Sequence, residues 1–253
     1  SEMCIRDSNK PELSPLNVVG SNADAPALSS GMKTSLALED TPKSITIVSG
    51  EQIKYQGLKS VGDIIDYTPG VNNSQGEGHR DAAVIRGMRT TQDFYRDGIR
   101  DDVQYYRPLY NIEQIEVIRG SDALLSGFGG AYGIINRVTK EAQFGESFNS
   151  LAASVDTFGE LNFQLDNNFE FSGNRAFRIN MFGEHLENHR DFYYGDSFGV
   201  NPTMKLSIGE STLDLSYEFL NQERFIDRGI PTGTDGRPVE SLKEYVCLSL
   251  IHI

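Results

Sequence analysis

Residues 111–140, Asn-Ile-Glu-Gln-Ile-Glu-Val-Ile-Arg-Gly-Ser-Asp-Ala-Leu-Leu-Ser-Gly-Phe-Gly-Gly-Ala-Tyr-Gly-Ile-Ile-Asn-Arg-Val-Thr-Lys, place two β-prone runs on either side of a glycine-rich loop. Ile112, Ile115, Val117 and Ile118 are β-branched and close on Gly120, the pattern of a buried strand that ends in a turn. Asp122–Leu125 suits one helical turn. Gly127, Gly129, Gly130 and Gly133 then permit a tight return to the second run, Ile134–Val138. The stretch reads as strand, short helix or turn, glycine loop, strand.

Upstream, Pro42 opens a β run in which Ile45 and Ile47 alternate with polar residues up to Ser49-Gly50. Glu51–Gly57 reads as a short helix after Ser49. A second helix from Ser60 through Tyr67 carries Val61, Ile64 and Ile65 on one side and stops at Thr68-Pro69-Gly70-Val71. A polar loop, 72–81, leads into the strand Ala82–Gly87. Phe94-Tyr95-Arg96-Asp97-Gly98-Ile99 then holds an Asp-Gly pair between β-prone residues, a hairpin signal. Residues 9–39 show no sustained period and are rich in Ser, Pro, Ala, Asn and Gly, so they read as an extended segment. Leu16-Asn17-Val18-Val19 is a short β-prone island within them.

Four of these motifs, in this order, resemble the plug domain of TonB-dependent outer-membrane receptors. They are Asp40–Val48, Thr68–Val71, Ile85-Arg86-Gly87, and Glu116–Gly120 joined through the glycine loop to Ile135–Lys140. Ser121 stands where the family usually has Pro, and Tyr132-Gly133 where it usually has Gly-Gly. The resemblance implies a plug domain over 40–142. It also implies a TonB box, captured by TonB through β-augmentation, for which Leu16–Val19 is the candidate; a bland island in a linker remains the alternative.

Beyond Phe144 the pattern is alternation. Leu161, Phe163, Leu165, Phe169 and Phe171 share one parity, and Asn162, Gln164, Asp166, Asn168 and Glu170 the other; Leu213, Leu215, Tyr217 and Phe219 repeat it. With 151–155, 177–181 and 200–208, five strands are expected. A soluble sandwich has the same period, so loop lengths decide. Short connections at Ser172–Arg175 and Gly209-Glu210 alternate with long ones at Leu186–Ser197 and after Phe225, the habit of outer-membrane barrels. The apolar parity is then expected to face lipid. Such barrels need about 22 strands, so residues 143–246 are expected to supply only the first of them, and the chain is not expected to transport as written. The fold class expected is an α+β plug domain followed by antiparallel β-strands of a truncated transmembrane β-barrel.

A net charge of −13 argues against a nucleic-acid partner. No run of about 18 apolar residues offers a membrane helix. The two cysteines, Cys4 and Cys247, sit near the ends, and residues 1–8 and 247–253 read as adaptor-derived scars rather than encoded protein; a terminal disulfide is the competing reading.

The resemblance places a ferric siderophore on the upper plug surface, carried as substrate with no cofactor. Asp102–Arg107 aligns with an apical loop that bears aromatics. Tyr106, Tyr105, Arg107 and Arg80 are therefore the candidate ligand contacts, since Tyr and Arg suit an anionic chelate; packing between plug and barrel is the alternative for the tyrosines. Arg86 and Arg119, each before a glycine, are implied to latch the plug to barrel carboxylates. Phe225–Pro231 and Gly236–Val239 resemble the third outer loop of the siderophore-receptor branch. The implied partners are TonB with ExbB and ExbD, and outer-membrane lipid; the implied location is the outer membrane of a Gram-negative cell. His185 and His189 have a metal-like spacing only on a helix, and no metal or catalytic site is expected. Rival readings are import of cobalamin, haem or a saccharide, and a soluble secreted β-rich domain.

Overall fold

The computed structural model describes residues 44–74, 78–120, 132–230 and 233–239, with the backbone of Leu250–His252. Leu16–Val19 and the helical turn at Asp122–Leu125 lie outside the described residues. β1 (Ser44–Ser49) runs into α1 (Gly50–Gln56), where the Ser49 side chain accepts from the Gln52 amide at 3.2 Å and Gly57 closes the helix at φ 63°. α2 (Val61–Asp66) starts in a capping box: Ser60 Oγ accepts from the Asp63 amide at 3.1 Å, and the Asp63 carboxylate accepts from the Ser60 amide at 2.9 Å.

β2 (Val71–Ser74), β3 (Ala82–Ile85) and β4 (Met88–Thr90) form a small antiparallel sheet. β5 (Phe94–Arg96) and β6 (Ile99–Arg100) make the expected hairpin, its Asp97 and Gly98 both at positive φ (49° and 75°), as a type I′ turn requires. β7 (Ile112–Arg119) and β8 (Gly133–Thr139) complete a second sheet in the order β1-β7-β8-β5-β6, antiparallel except for the β5–β8 pair. Gly133 is needed there because a Cβ would lie 2.7 Å from the Ile118 carbonyl oxygen. Val48, Ile53, Ile64, Ile65, Ile85 and Ile115 are among the buried residues that join the helices to both sheets.

A third sheet contains β9 (Phe148–Val155), β10 (Leu161–Ser172), β11 (Arg175–Glu187), β12 (Tyr194–Ile208), β13 (Ser211–Ser216), β14 (Phe219–Phe225) and β15 (Leu250–His252), all paired antiparallel. Two-residue turns, 173–174 and 209–210, lie at one end, with longer connections at the other. The strands outrun the sequence expectation: β11 reaches Glu187 and β12 starts at Tyr194, so the loop expected over Leu186–Ser197 shrinks to 188–193. Outward-facing Gly183, His185 and Asp196 hide the alternation there.

The strand expected over Leu213–Phe219 is interrupted at Tyr217-Glu218. The register is the same on both sides, Thr203↔Ser216 and Val200↔Phe219, which puts Pro202 opposite Tyr217. Proline has no N–H to give the ladder. The Tyr217 carbonyl instead accepts from the Asn201 side-chain Nδ2 at 2.7 Å.

The facing of this sheet separates the two architectures that alternation left open. Leu161, Phe163, Phe171, Leu213, Leu215 and Phe219 are exposed, whereas Asp166, Asn168, Arg178, Asn180, Asn201 and Thr203, of the opposite parity, are buried. A soluble sandwich buries its apolar parity; a membrane barrel turns it outward. No described helix is long and apolar enough to cross a membrane.

Polar groups make the seam between the two parts. Asp166 accepts from Lys140 Nζ at 2.8 Å and, bidentately, from Arg178 Nε and Nη2 at 2.8 and 2.9 Å. Lys205 pairs with Glu141 at 2.7 Å, and Lys59 pairs with Glu160. Aromatic packing joins them as well: Tyr110 packs on Phe182 with ring centroids 4.6 Å apart. Gly199 makes the room, since its Cβ would lie 2.5 Å from the Phe182 ring.

Candidate functional site

The candidate ligand residues lie on two loops that are clipped together. The Asp81 amide donates to the Tyr105 carbonyl at 3.2 Å, and the Arg107 amide donates back to the Asp81 carboxylate at 2.9 Å. Arg80 Nη1 bonds to Gln104 Oε1 across the same gap. Arg80, Tyr105, Tyr106 and Arg107 are thus brought to one end of the N-terminal domain.

Their environments differ. Arg107, expected from the sequence to meet a ligand, is fully buried as a side chain. Its guanidinium pairs with Asp101 at 3.1 Å, donates to the carbonyls of Asp101, Val103 and Tyr105, and covers the Phe94 ring at 4.2 Å. Those donors are spent on folding residues 101–107, so the charge organises the loop from within. Burial pushes the Asp81 carboxyl above the usual range, with Arg107 pulling it back. Tyr105 Oη donates to Asp101 at 2.9 Å and accepts from Arg137 Nη2 at 2.9 Å, which also pairs with Asp101 at 2.6 Å. Burial raises the Tyr105 phenol.

Tyr106 meets the wall. Arg224, on β14, lies over its ring at 4.4 Å from the centroid. Burial pushes the Tyr106 phenol up to about 12, partly offset by Arg224. Tyr193, in the 188–193 loop, is also raised by burial, and Arg190 pairs with Asp227. The site is therefore aromatic and cationic, with contributions from both parts of the chain. Arg224 and Tyr193 were not singled out from the sequence. Arg137 had a signal, a lone charge inside the β-branched run 134–138, whose meaning depended on knowing that Asp101 faces it.

Residues 37–134 match the TonB-dependent Receptor Plug Domain family. Over 217 residues, 82% of this chain, it is 32% identical to the catecholate siderophore receptor Fiu of Escherichia coli K12. The solved closed form of Fiu, a ferric-catecholate import receptor, superposes with a TM-score of 0.75 over 82% of this chain and 30% of that one, at 31% identity. The siderophore receptor PiuA of Acinetobacter baumannii superposes with a TM-score of 0.75 over 83% of this chain and 31% of that one, at 27% identity. The chain belongs to the TonB-dependent receptors. It spans 28% of the length of Fiu, so it carries the plug and the first wall strands of a family whose barrel is longer than this segment.

In this TonB-dependent receptor segment, Arg86 and Arg119 sit side by side at the end of β3 and of β7. Arg86 holds a positive φ of 50° and its guanidinium approaches Gly120. Arg119 Nη2 donates to Thr46 Oγ1 at 2.8 Å and Nη1 to the Pro69 carbonyl. Burial and the charge of Arg86 both lower the Arg119 pKa. Among the described residues neither meets a carboxylate. His185 pairs with Asp196 at 2.7 Å on the outward face, while His189 lies beside Phe158 in the loop region, so the two histidines have different neighbours.

Proposed function

We propose that this chain is the N-terminal part of an outer-membrane receptor that takes up a ferric siderophore of the catecholate type, driven by TonB with ExbB and ExbD. The plug occupies 40–142 and the wall begins at 143, its apolar parity against lipid. The chelate rests on Tyr106, Tyr105 and Arg80, with Arg107 holding their loop in shape and iron carried as substrate. Binding biases the N-terminal segment, with Leu16–Val19 as the TonB box, toward capture from the periplasm. Arg86 and Arg119 latch the plug to carboxylates of the wall. Transport by this route needs no covalent step.

The observation that carries this reading is the wall itself: apolar outside, polar inside, and joined to a plug whose aromatic and cationic apex is contacted by Arg224. The test is a binding panel on the whole purified receptor. A ferric catecholate is expected to bind and to lose affinity in Tyr106→Ala; binding of cobalamin, haem or an oligosaccharide with no ferric chelate bound would overturn the substrate.

A further inference from the structure

The fault in the wall at Pro202 coincides with its grip on the plug. Glu218, in the interrupted stretch, accepts three donors from the plug through one carboxylate. Tyr110 Oη reaches Oε1 at 3.0 Å, Asn111 Nδ2 reaches it at 2.9 Å, and Arg96 Nη1 bonds to Oε2. Asn111 Nδ2 also lies 3.4 Å from Asn201 Oδ1. Asn201 is the residue whose Nδ2 replaces the ladder bond that Pro202 cannot make. That same replacement fixes the orientation of the Asn201 amide, with its oxygen toward the plug. Asn111 and Asn201 are fully buried or nearly so.

A proline in a central strand is ordinarily excluded because it deletes a ladder bond. Here the deletion diverts a side chain and lets two adjoining wall positions, Asn201 and Glu218, present acceptors to the plug. We infer that Pro202, Asn201 and Glu218 form a plug clamp, a wall device that trades one backbone bond for retention of the plug segment 108–113 and the 94–100 hairpin. The clamp differs from the Arg86 and Arg119 end of the plug, since it uses the hairpin arginine and two neutral donors. Its role is to set how readily the plug leaves the wall when no ligand is bound. Glu218, Asn201 and Pro202 are positioning residues and touch no ligand residue.

The inference rests on the chain being plug and wall of a barrel, and on nothing about the ligand. Its test is hydrogen exchange on the whole receptor in membranes with no chelate present, so that failure to bind any ferric chelate leaves the result readable. Pro202→Ala returns an N–H to the ladder, which competes with Asn201 for the Tyr217 carbonyl. Protection of amides 213–220 is expected to rise while that of 109–113 falls. Tyr110→Phe, which removes one hydroxyl and leaves the wall intact, is expected to speed opening of 108–113 by about 10-fold, the lower end for one hydrogen bond to a carboxylate. Glu218→Ala, which takes the acceptor from three plug donors at once, is expected to speed it on the order of 100-fold, with α2 still protected. Equal changes throughout the plug, no change at 108–113, or a joint rise of both regions in Pro202→Ala would overturn the clamp.

Discussion

Asp166→Asn tests the seam at its most charged point. Asp166 holds Lys140 of the plug and Arg178 of the wall, and the three side chains are no more than 9% exposed. Without the carboxylate, Arg178 retains the Glu141 carbonyl at 3.0 Å and Glu113 at 3.8 Å. The asparagine keeps one acceptor oxygen but no charge, so among the described residues Lys140 is left with neutral oxygens only, the Tyr110 carbonyl at 2.8 Å among them. Stranding a buried cation in this way costs about 3–5 kcal/mol, and Lys140 carries most of that. Burial already lowers the Lys140 pKa and Asp166 opposes the shift, so in the variant it falls further. A lysine whose folded pKa is depressed binds fewer protons folded than unfolded, so stability rises with pH. The deficit is therefore expected to be large at pH 7 and to shrink as pH approaches the unfolded lysine pKa of about 10.4. Urea titration of the plug in the solubilised whole receptor, followed by pulse proteolysis, measures it. A loss under about 1 kcal/mol, a deficit that does not depend on pH, or simple additivity with Lys140→Met would refute the reasoning.

Spectrophotometric titration should show the Tyr106 phenol ionising near 12, a component absent from Tyr106→Phe. Because the folded state keeps that proton longer than the unfolded chain, its contribution to stability is full below pH about 10 and declines as pH rises through the folded value. Gly199→Ala should push the Phe182 ring off Tyr110 and destabilise the plug–wall contact by about 1–3 kcal/mol, the usual range for overpacking; a melting curve unchanged from the parent would contradict the packing described. Neither amide atom of the buried Asn180 side chain has a partner among the described residues. A crystal structure is therefore expected to place an ordered water on it, since buried polar groups are satisfied by protein or solvent; a dry, unbonded Asn180 would count against the placement of β11.

Much of the plug was legible because its signals are local. Ser49 and Ser60 cap the helices they precede, Gly57 ends the first, and Asp97-Gly98 turns the hairpin, each within a few residues of the element it controls. Wall strands were legible in existence but not in extent, since a barrel strand shows alternation only where its outward positions are apolar. The split at Tyr217-Glu218 was hidden because its cause, Pro202, sits on another strand. The apex divided in the same way. Aromatic and basic residues mark 101–107 in the sequence, but only the fold brings Asp81 and Asp101 onto Arg107 and turns a candidate ligand contact into an internal brace. Arg224 over Tyr106 joins residues far apart in the chain, and no local pattern announces it.

The outward facing of the apolar parity is the claim on which the rest depends. Spin labels placed singly at 161–171 of the whole receptor in membranes read it directly, through accessibility to oxygen and to a water-soluble relaxant. Labels at 161, 163, 169 and 171 are expected to favour oxygen, and those at 164, 166 and 168 to be shielded from lipid. The opposite parity, or water access on both faces, would contradict the barrel wall.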